Sequence, residues 1–238
     1  MRNVWTITWR ELNSYFVSPI AYIVSAAFLL ISGVLFSLIL TSTMDASLNG
    51  TFSNITFILI LIAPILTMKL LAEEQRMGTL ELLLTSPVHD WQVVVGKFLG
   101  SLILFAVMLL APTLLYVVLL AAFGTPDYGP IISSYLGVLL LGGAFLSIGV
   151  LASSLTQNQV VAGFLGIVIL LLMWIADALS RIVGGGAVGD ALTYLAITQH
   201  YNDFLSGVIA TQNVIYPLSV IVVSLFIATQ VLQTRRWR

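Results

Sequence analysis

Between Glu73 and Val88 the chain reads EEQRMGTLELLLTSPV, three acids, one arginine and a Gly-Thr step set between two long apolar runs. It is the one concentrated polar stretch in the first half of the sequence. Apolar runs of about 20 residues, the length that crosses roughly 30 Å of hydrocarbon, recur on both sides of it. A polar connection between such runs is the pattern of a polytopic helical membrane protein. Composition agrees: 59% of the 238 residues are hydrophobic and 8% charged, and the mean hydropathy is +1.07. That surface is too apolar to hide in one soluble core. A net charge of -1 gives no basis for binding nucleic acid. The absence of Cys removes disulfides and thiolate metal sites together.

Working outward, the hydrophobic runs predict an all-α polytopic membrane protein with a single transmembrane domain over 1–238. Six transmembrane helices are expected at about 20–40, 52–72, 92–123, 132–154, 160–177 and 213–232. Arg2 and Arg10 precede a first run too long for a signal-peptide core, so that run is expected to be retained as a span. Before it, Trp5, Trp9, Leu12 and Phe16 share one helical face, with Arg10, Glu11 and Asn13 elsewhere. This predicts an amino-terminal interfacial helix over 3–18, its tryptophans among lipid headgroups, ended by Ser18-Pro19. The third span is the longest. Asp90 is placed to cap a helix reaching Phe123, about 50 Å at 1.5 Å per residue, with Lys97 snorkelling to the surface.

Basic residues orient these spans. Arg2, Arg10, Lys69, Arg76, Lys97, Arg235, Arg236 and Arg238 fall on one face of the predicted topology and Arg181 alone on the other, while the acids divide evenly. By the positive-inside rule both termini and the Glu73 to Val88 connection are cytoplasmic. A second, shorter cytoplasmic turn is expected at Thr156, Gln157, Asn158 and Gln159. On the outer side, 178–212 predicts a small extracytoplasmic helical cap before span six. Ala191, Leu192 and Leu195 fit one helical face there, and Tyr201, Phe204, Leu205 and Val208 another. That cap either covers an exit route or only packs. Gly33/Ser37, Gly143/Ser147 and Gly149/Ser153 have the small-xxx-small spacing that permits close helix approach.

No catalytic or metal-binding constellation emerges. His89 and His200, the two histidines, fall on opposite sides of the predicted membrane. Gly96-Lys97 lacks the rest of a phosphate loop: Trp91 stands where the first glycine belongs and Phe98 where the hydroxyl residue belongs. The middles of the six predicted spans hold no ionisable side chain, which argues against a proton- or sodium-driven carrier. A transporter of this composition draws its energy from outside the chain.

Within the opening stretch, Glu73, Glu74 and Arg76 mark where the second span leaves the membrane, and Gly78-Thr79 interrupts the helix. Thr79 is placed as N-cap of a short helix with Glu81 in its first turn, and Pro87 closes it. Leu80, Leu83 and Leu84 share one face of that helix. Two turns are not stable alone, so the leucines need a surface to bury against: the bilayer, the third span or a cytosolic partner.

The motif E-E-x-x-x-G-T-L-E-L-L-L-T-S-P-V from Glu73 to Val88, followed by Asp90-Trp91-Gln92 and Gly96-Lys97-Phe98, resembles the ABC type-2 exporter permeases, in particular the gliding-motility-associated branch and related envelope exporters. The resemblance extends to SSLTQNQVVAG at 153–163 and to Arg235-Arg236-Trp237-Arg238. It implies that the Glu73 to Val88 segment forms a coupling helix fitting a cleft on a separate cytosolic ABC ATPase subunit. Gly78, Thr79, Leu80, Glu81, Leu82 and Leu83 are then the partner contacts. Glu73, Glu74 and Arg76 form the hinge or cytoplasmic gate, and the turn at Thr156 to Gln159 lies near the same partner. The resemblance implies no cofactor in this chain, since ATP and Mg belong to the partner subunit, and a second permease copy or related permease completes the transporter. Membrane lipid and an envelope accessory protein are the remaining expected partners, in the bacterial cytoplasmic (inner) membrane. The substrate expected is envelope-related or hydrophobic. The competing reading is a membrane scaffold that recruits a cytosolic ATPase for envelope assembly or motility without transport.

Overall fold

The computed structural model describes residues 2–43, 45–79, 88–184 and 186–235. Among them the secondary structure is entirely helical: α1 (Arg2–Val17), α2 (Pro19–Thr43), α3 (Asn49–Thr67), α4 (Lys69–Met77), α5 (Asp90–Phe123), α6 (Tyr128–Leu155), α7 (Gln159–Val183), α8 (Ala187–Leu195), α9 (Ile197–Leu205) and α10 (Thr211–Arg235). Six segments are long and apolar enough to cross a membrane: Pro19–Thr43, Asn49–Met77, Asp90–Phe123, Tyr128–Leu155, Gln159–Ala176 and Thr211–Thr234.

The spans are not equivalent. The apolar windows of the second and fourth are 72% and 78% buried, those of the others 22–39%, so α3 and α6 form the centre and α2, α5, α7 and α10 surround them. Glycines let α6 sit this deep. A Cβ at Gly142 would overlap the Phe105 ring, and one at Gly149 would collide with Thr67 Oγ1. The outer helices turn large apolar side chains outward, Leu30, Phe164 and Val222 among them. An apolar surface of this extent suits lipid and not water.

The bundle has two distinct ends. At one, α1 lies against the start of α5, and α4 lies beside the α6–α7 turn, joined by Gln75 Nε2 donating to the Ser154 carbonyl at 3.1 Å. At the other, α8 and α9 cover the starts of α6 and α10. Ser133 Oγ donates to the Phe204 carbonyl at 2.6 Å, and the Tyr216 hydroxyl to the Leu195 carbonyl at 2.8 Å.

Three local expectations change. First, Leu12 is buried in α1 with Ile7, Thr8, Glu11 and Tyr15, whereas Trp5, Trp9 and Phe16, read as sharing its face, are more than half exposed, the outward position expected of the tryptophans. Leu12 turns inward because α1 is seated on the glycines of α5. Second, α5 starts one residue early: His89 is its N-cap, its N–H donating to Gln92 Oε1 at 3.2 Å, and Asp90 occupies the first turn. Third, in the cap Tyr201 and Phe204 point inward as their spacing suggests, but Val208 lies beyond the end of α9 and is exposed, as are Ala191 and Leu195. Docking is dominated by Phe204, whose ring fills the space over Gly137 and leaves no room for a Cβ there.

Candidate functional site

The site is built where α1, α4 and α5 meet, directly before the Gly78 to Val88 stretch. α5 carries Gly96 and Gly100 one turn apart, and these two residues seat α1. A Cβ at Gly96 would stand 2.8 Å from Ile7, and one at Gly100 would stand 2.9 Å from Glu11 Cβ. Thr8 Oγ1 adds a hydrogen bond to the Gly96 carbonyl at 3.1 Å. This is the small-xxx-small geometry of membrane helices, and it places Lys97, between the two glycines, under the body of α1.

Lys97 therefore cannot snorkel. Its side chain is 1% exposed, and its ammonium bridges Glu74 Oε1 at 2.9 Å and Glu11 Oε2 at 3.2 Å. Arg10, half exposed, reaches the same Glu74 oxygen at 3.1 Å. Two cations and two carboxylates thus form a neutral cluster linking three helices. Neutrality matters, because a buried charge without its counter-charge costs several kcal/mol of desolvation. The short contacts are charge-assisted hydrogen bonds as well as ion pairs.

A second set of contacts holds the joint between α3 and α4. Pro64 lacks an N–H to give to the preceding turn, and helical bonding is interrupted at Met68, although Met68 keeps helical dihedrals of -54° and -34°. Side chains from neighbouring helices take the backbone groups around this break. Tyr15 donates its hydroxyl to the Leu66 carbonyl at 2.8 Å. Burial, reinforced by the nearby Glu11 carboxylate, pushes that hydroxyl well above its ordinary pKa range, so it remains a donor. Ser153 of α6 accepts from the Leu71 and Ala72 amides, each at 3.0 Å, and donates to the Met68 carbonyl at 2.9 Å. Lys69 donates to Ser18 Oγ at 3.0 Å and lies 5.1 Å above the Tyr15 ring.

Beyond this joint α4 runs to Met77 and stops at Gly78, whose φ of 69° is the left-handed conformation glycine adopts at helix C-termini. Thr79 Oγ1 donates to the Glu74 carbonyl at 3.4 Å. Of the residues singled out from sequence, Glu74 sits in the ion-pair cluster, Glu73 is half-buried beside it, and Arg76, Gly78 and Thr79 are exposed. Leu80, Glu81, Leu82 and Leu83 lie outside the described residues, as does the capping of a helix by Thr79. The turn Thr156 to Gln159 is on the same end. Asn158 caps α7 by accepting from the Val160 amide at 2.9 Å, and Thr156 Oγ1 accepts from the Asn158 amide at 3.1 Å. Sequence reasoning missed Glu11 and Lys97 as partners, and it missed the Gly96/Gly100 pair. The GKFLG spacing was the signal available for the latter.

Among the described residues no group of three or more His, Cys, Asp or Glu could hold a metal ion. The site is electrostatic and mechanical in character: a charge cluster and a side-chain-bridged break, both fixing α4 relative to α1, α5 and α6.

Comparison with known proteins gives a family match along nearly the whole chain. The family model described as ABC-2 family transporter protein matches residues 5–237. Over 141 residues the chain is 27% identical to the probable multidrug ABC transporter permease YbhR of Escherichia coli strain K12, and equally to the protein of the same name in strain O157:H7. The aligned stretch covers 58% of this chain and 37% of each relative, so the similarity spans little more than a third of the relatives' length.

Proposed function

The chain belongs to the ABC-2 family of transporter proteins, and from that premise we propose that it is the transmembrane permease subunit of an ATP-driven exporter. ATP hydrolysis takes place on a separate cytosolic ABC ATPase subunit, and this chain converts it into movement of the six-helix bundle. The segment Gly78 to Val88 is the coupling helix, with Glu81, Leu82 and Leu83 among its contacts to the ATPase. The turn at Thr156 to Gln159 lies beside the same partner. Both termini are cytoplasmic in the bacterial inner membrane, and a second permease copy or a related permease completes the transporter. The cargo is envelope-related or hydrophobic, and the Glu73 to Val88 motif favours the gliding-motility-associated branch.

The observation that carries this reading is the Arg10–Glu74–Lys97–Glu11 cluster, which holds α4 against α1 and α5 immediately before the proposed docking segment. A push delivered at Gly78 reaches α1 through Arg10 and Glu11, α5 through Lys97, and α6 through Ser153. Coupling of this kind needs two arrangements of the bundle that the ATPase binds with different affinity.

Transport into sealed inside-out vesicles tests it. Uptake is expected to require the chain, its ATPase and ATP together, and to persist when ion gradients are collapsed. A chain that binds the ATPase but supports no ATP-dependent movement of any envelope or hydrophobic compound is a scaffold.

A further inference from the structure

The break at Met68 is where the transmembrane part of the second span hands over to α4. In an uninterrupted helix the Leu71 amide donates to the Thr67 carbonyl and the Ala72 amide to the Met68 carbonyl. Here the Ser153 hydroxyl takes both amides and gives its own proton to the Met68 carbonyl. One hydroxyl offers one donor and two acceptor sites, so Ser153 is fully engaged and has no capacity left for any other group. It is completely buried. A side chain inserted into the backbone ladder is one of the few recognised causes of a sharp helix bend.

We propose that Ser153 is a positioning residue: its hydroxyl wedges the α3–α4 joint open, and its withdrawal lets the ladder close so that α4 swings as the continuation of one helix. Met68 already has helical dihedrals, so closure requires a small backbone adjustment. Neighbouring helices approach the joint closely. Gly149, one turn before Ser153, lies against Thr67, and Gly163 and Gly166 of α7 lie against Met68 and Pro64, so glycines of two helices line the joint. A buried amide left unpaired loses its hydration without replacement, which drives closure once the hydroxyl is gone. The joint is thus a two-state element that α6 controls. This extends the permease reading by naming the part that moves, but its test needs neither the ATPase nor a substrate.

The chain has no cysteine, so spin labels can be placed on Met77→Cys at the exposed end of α4 and Phe123→Cys at the exposed far end of α5. Distances are then measured by pulsed electron resonance in lipid nanodiscs for the parent, Ser153→Ala and Ser153→Thr. The Ala variant is expected to show a shifted population and the Thr variant, which keeps the hydroxyl, the parental one. A parental distribution in Ser153→Ala overturns the proposal. An equal shift in both variants also overturns it, because volume and not the hydroxyl then sets the joint. Should Ser153→Thr fail to insert, Ser153→Gly replaces it: the same shift as Ser153→Ala supports the wedge, and any other distribution overturns it.

Discussion

Replacing Lys97 by methionine is expected to cost about 3–5 kcal/mol of folding stability, the range for removing one partner of a buried ion pair. Methionine preserves much of the stem that packs beneath α1, so the loss is electrostatic. Glu11 Oε2 and Glu74 Oε1 lose their shared donor. Glu74 Oε2 is already buried without a hydrogen-bond partner among the described residues, and Arg10, half exposed, cannot neutralise both carboxylates. The same logic sets the control. Lys97→Met combined with Glu11→Gln and Glu74→Gln removes the stranded charges and is expected to recover most of the loss, a non-additivity that residues in one network show. Thermal unfolding of the purified chain in nanodiscs measures both. A single Lys97→Met variant as stable as the parent would mean that the cluster is not a structural joint.

The second large effect is expected at Glu81. In the proposed coupling helix its carboxylate favours the positive end of the helix dipole and faces the ATPase, and Glu81→Lys reverses both interactions. Interface positions of this kind contribute about 2 kcal/mol or more, so ATPase affinity is expected to fall by at least about 30-fold. The bundle itself should remain folded, since the cluster at Glu74 and Lys97 is untouched. Titrating the ATPase onto parent and variant chains in nanodiscs separates the two properties. Unchanged affinity with intact folding would remove Glu81 from the interface.

The contrast between these two residues shows what the sequence reveals in a membrane protein. Long apolar runs announce six spanning helices directly, because hydrocarbon leaves the backbone few alternatives. The Gly78 stop of α4 was also legible, since glycine relieves the left-handed strain that other residues incur. Side-chain partnerships were not. Lys97 in an apolar helix reads as a snorkelling lysine, and only the approach of α1, governed by Gly96 and Gly100 a turn apart, buries it. Likewise Trp5, Trp9, Leu12 and Phe16 share one spacing in α1, yet Leu12 alone of the four is buried, because the glycines of α5 and not the periodicity decide which edge of the stripe is covered. Ser153 was visible as a small residue at helix-packing spacing. Its three hydrogen bonds to the Met68–Ala72 backbone depend on a break in another helix, 81 to 85 residues away in sequence, which local pattern does not encode.

In the proposed transporter, energy enters through the segment between α4 and α5 from a separate ATPase. A photoreactive amino acid placed at Leu83 in the full chain, activated in intact cells, tests this most directly. A covalent adduct with a cytosolic ATPase subunit is expected, identified by mass spectrometry and lost in the Glu81→Lys background. Adducts confined to lipid, or to the chain's own third span, would contradict it, because the leucines of that segment would then be buried without any partner to drive them.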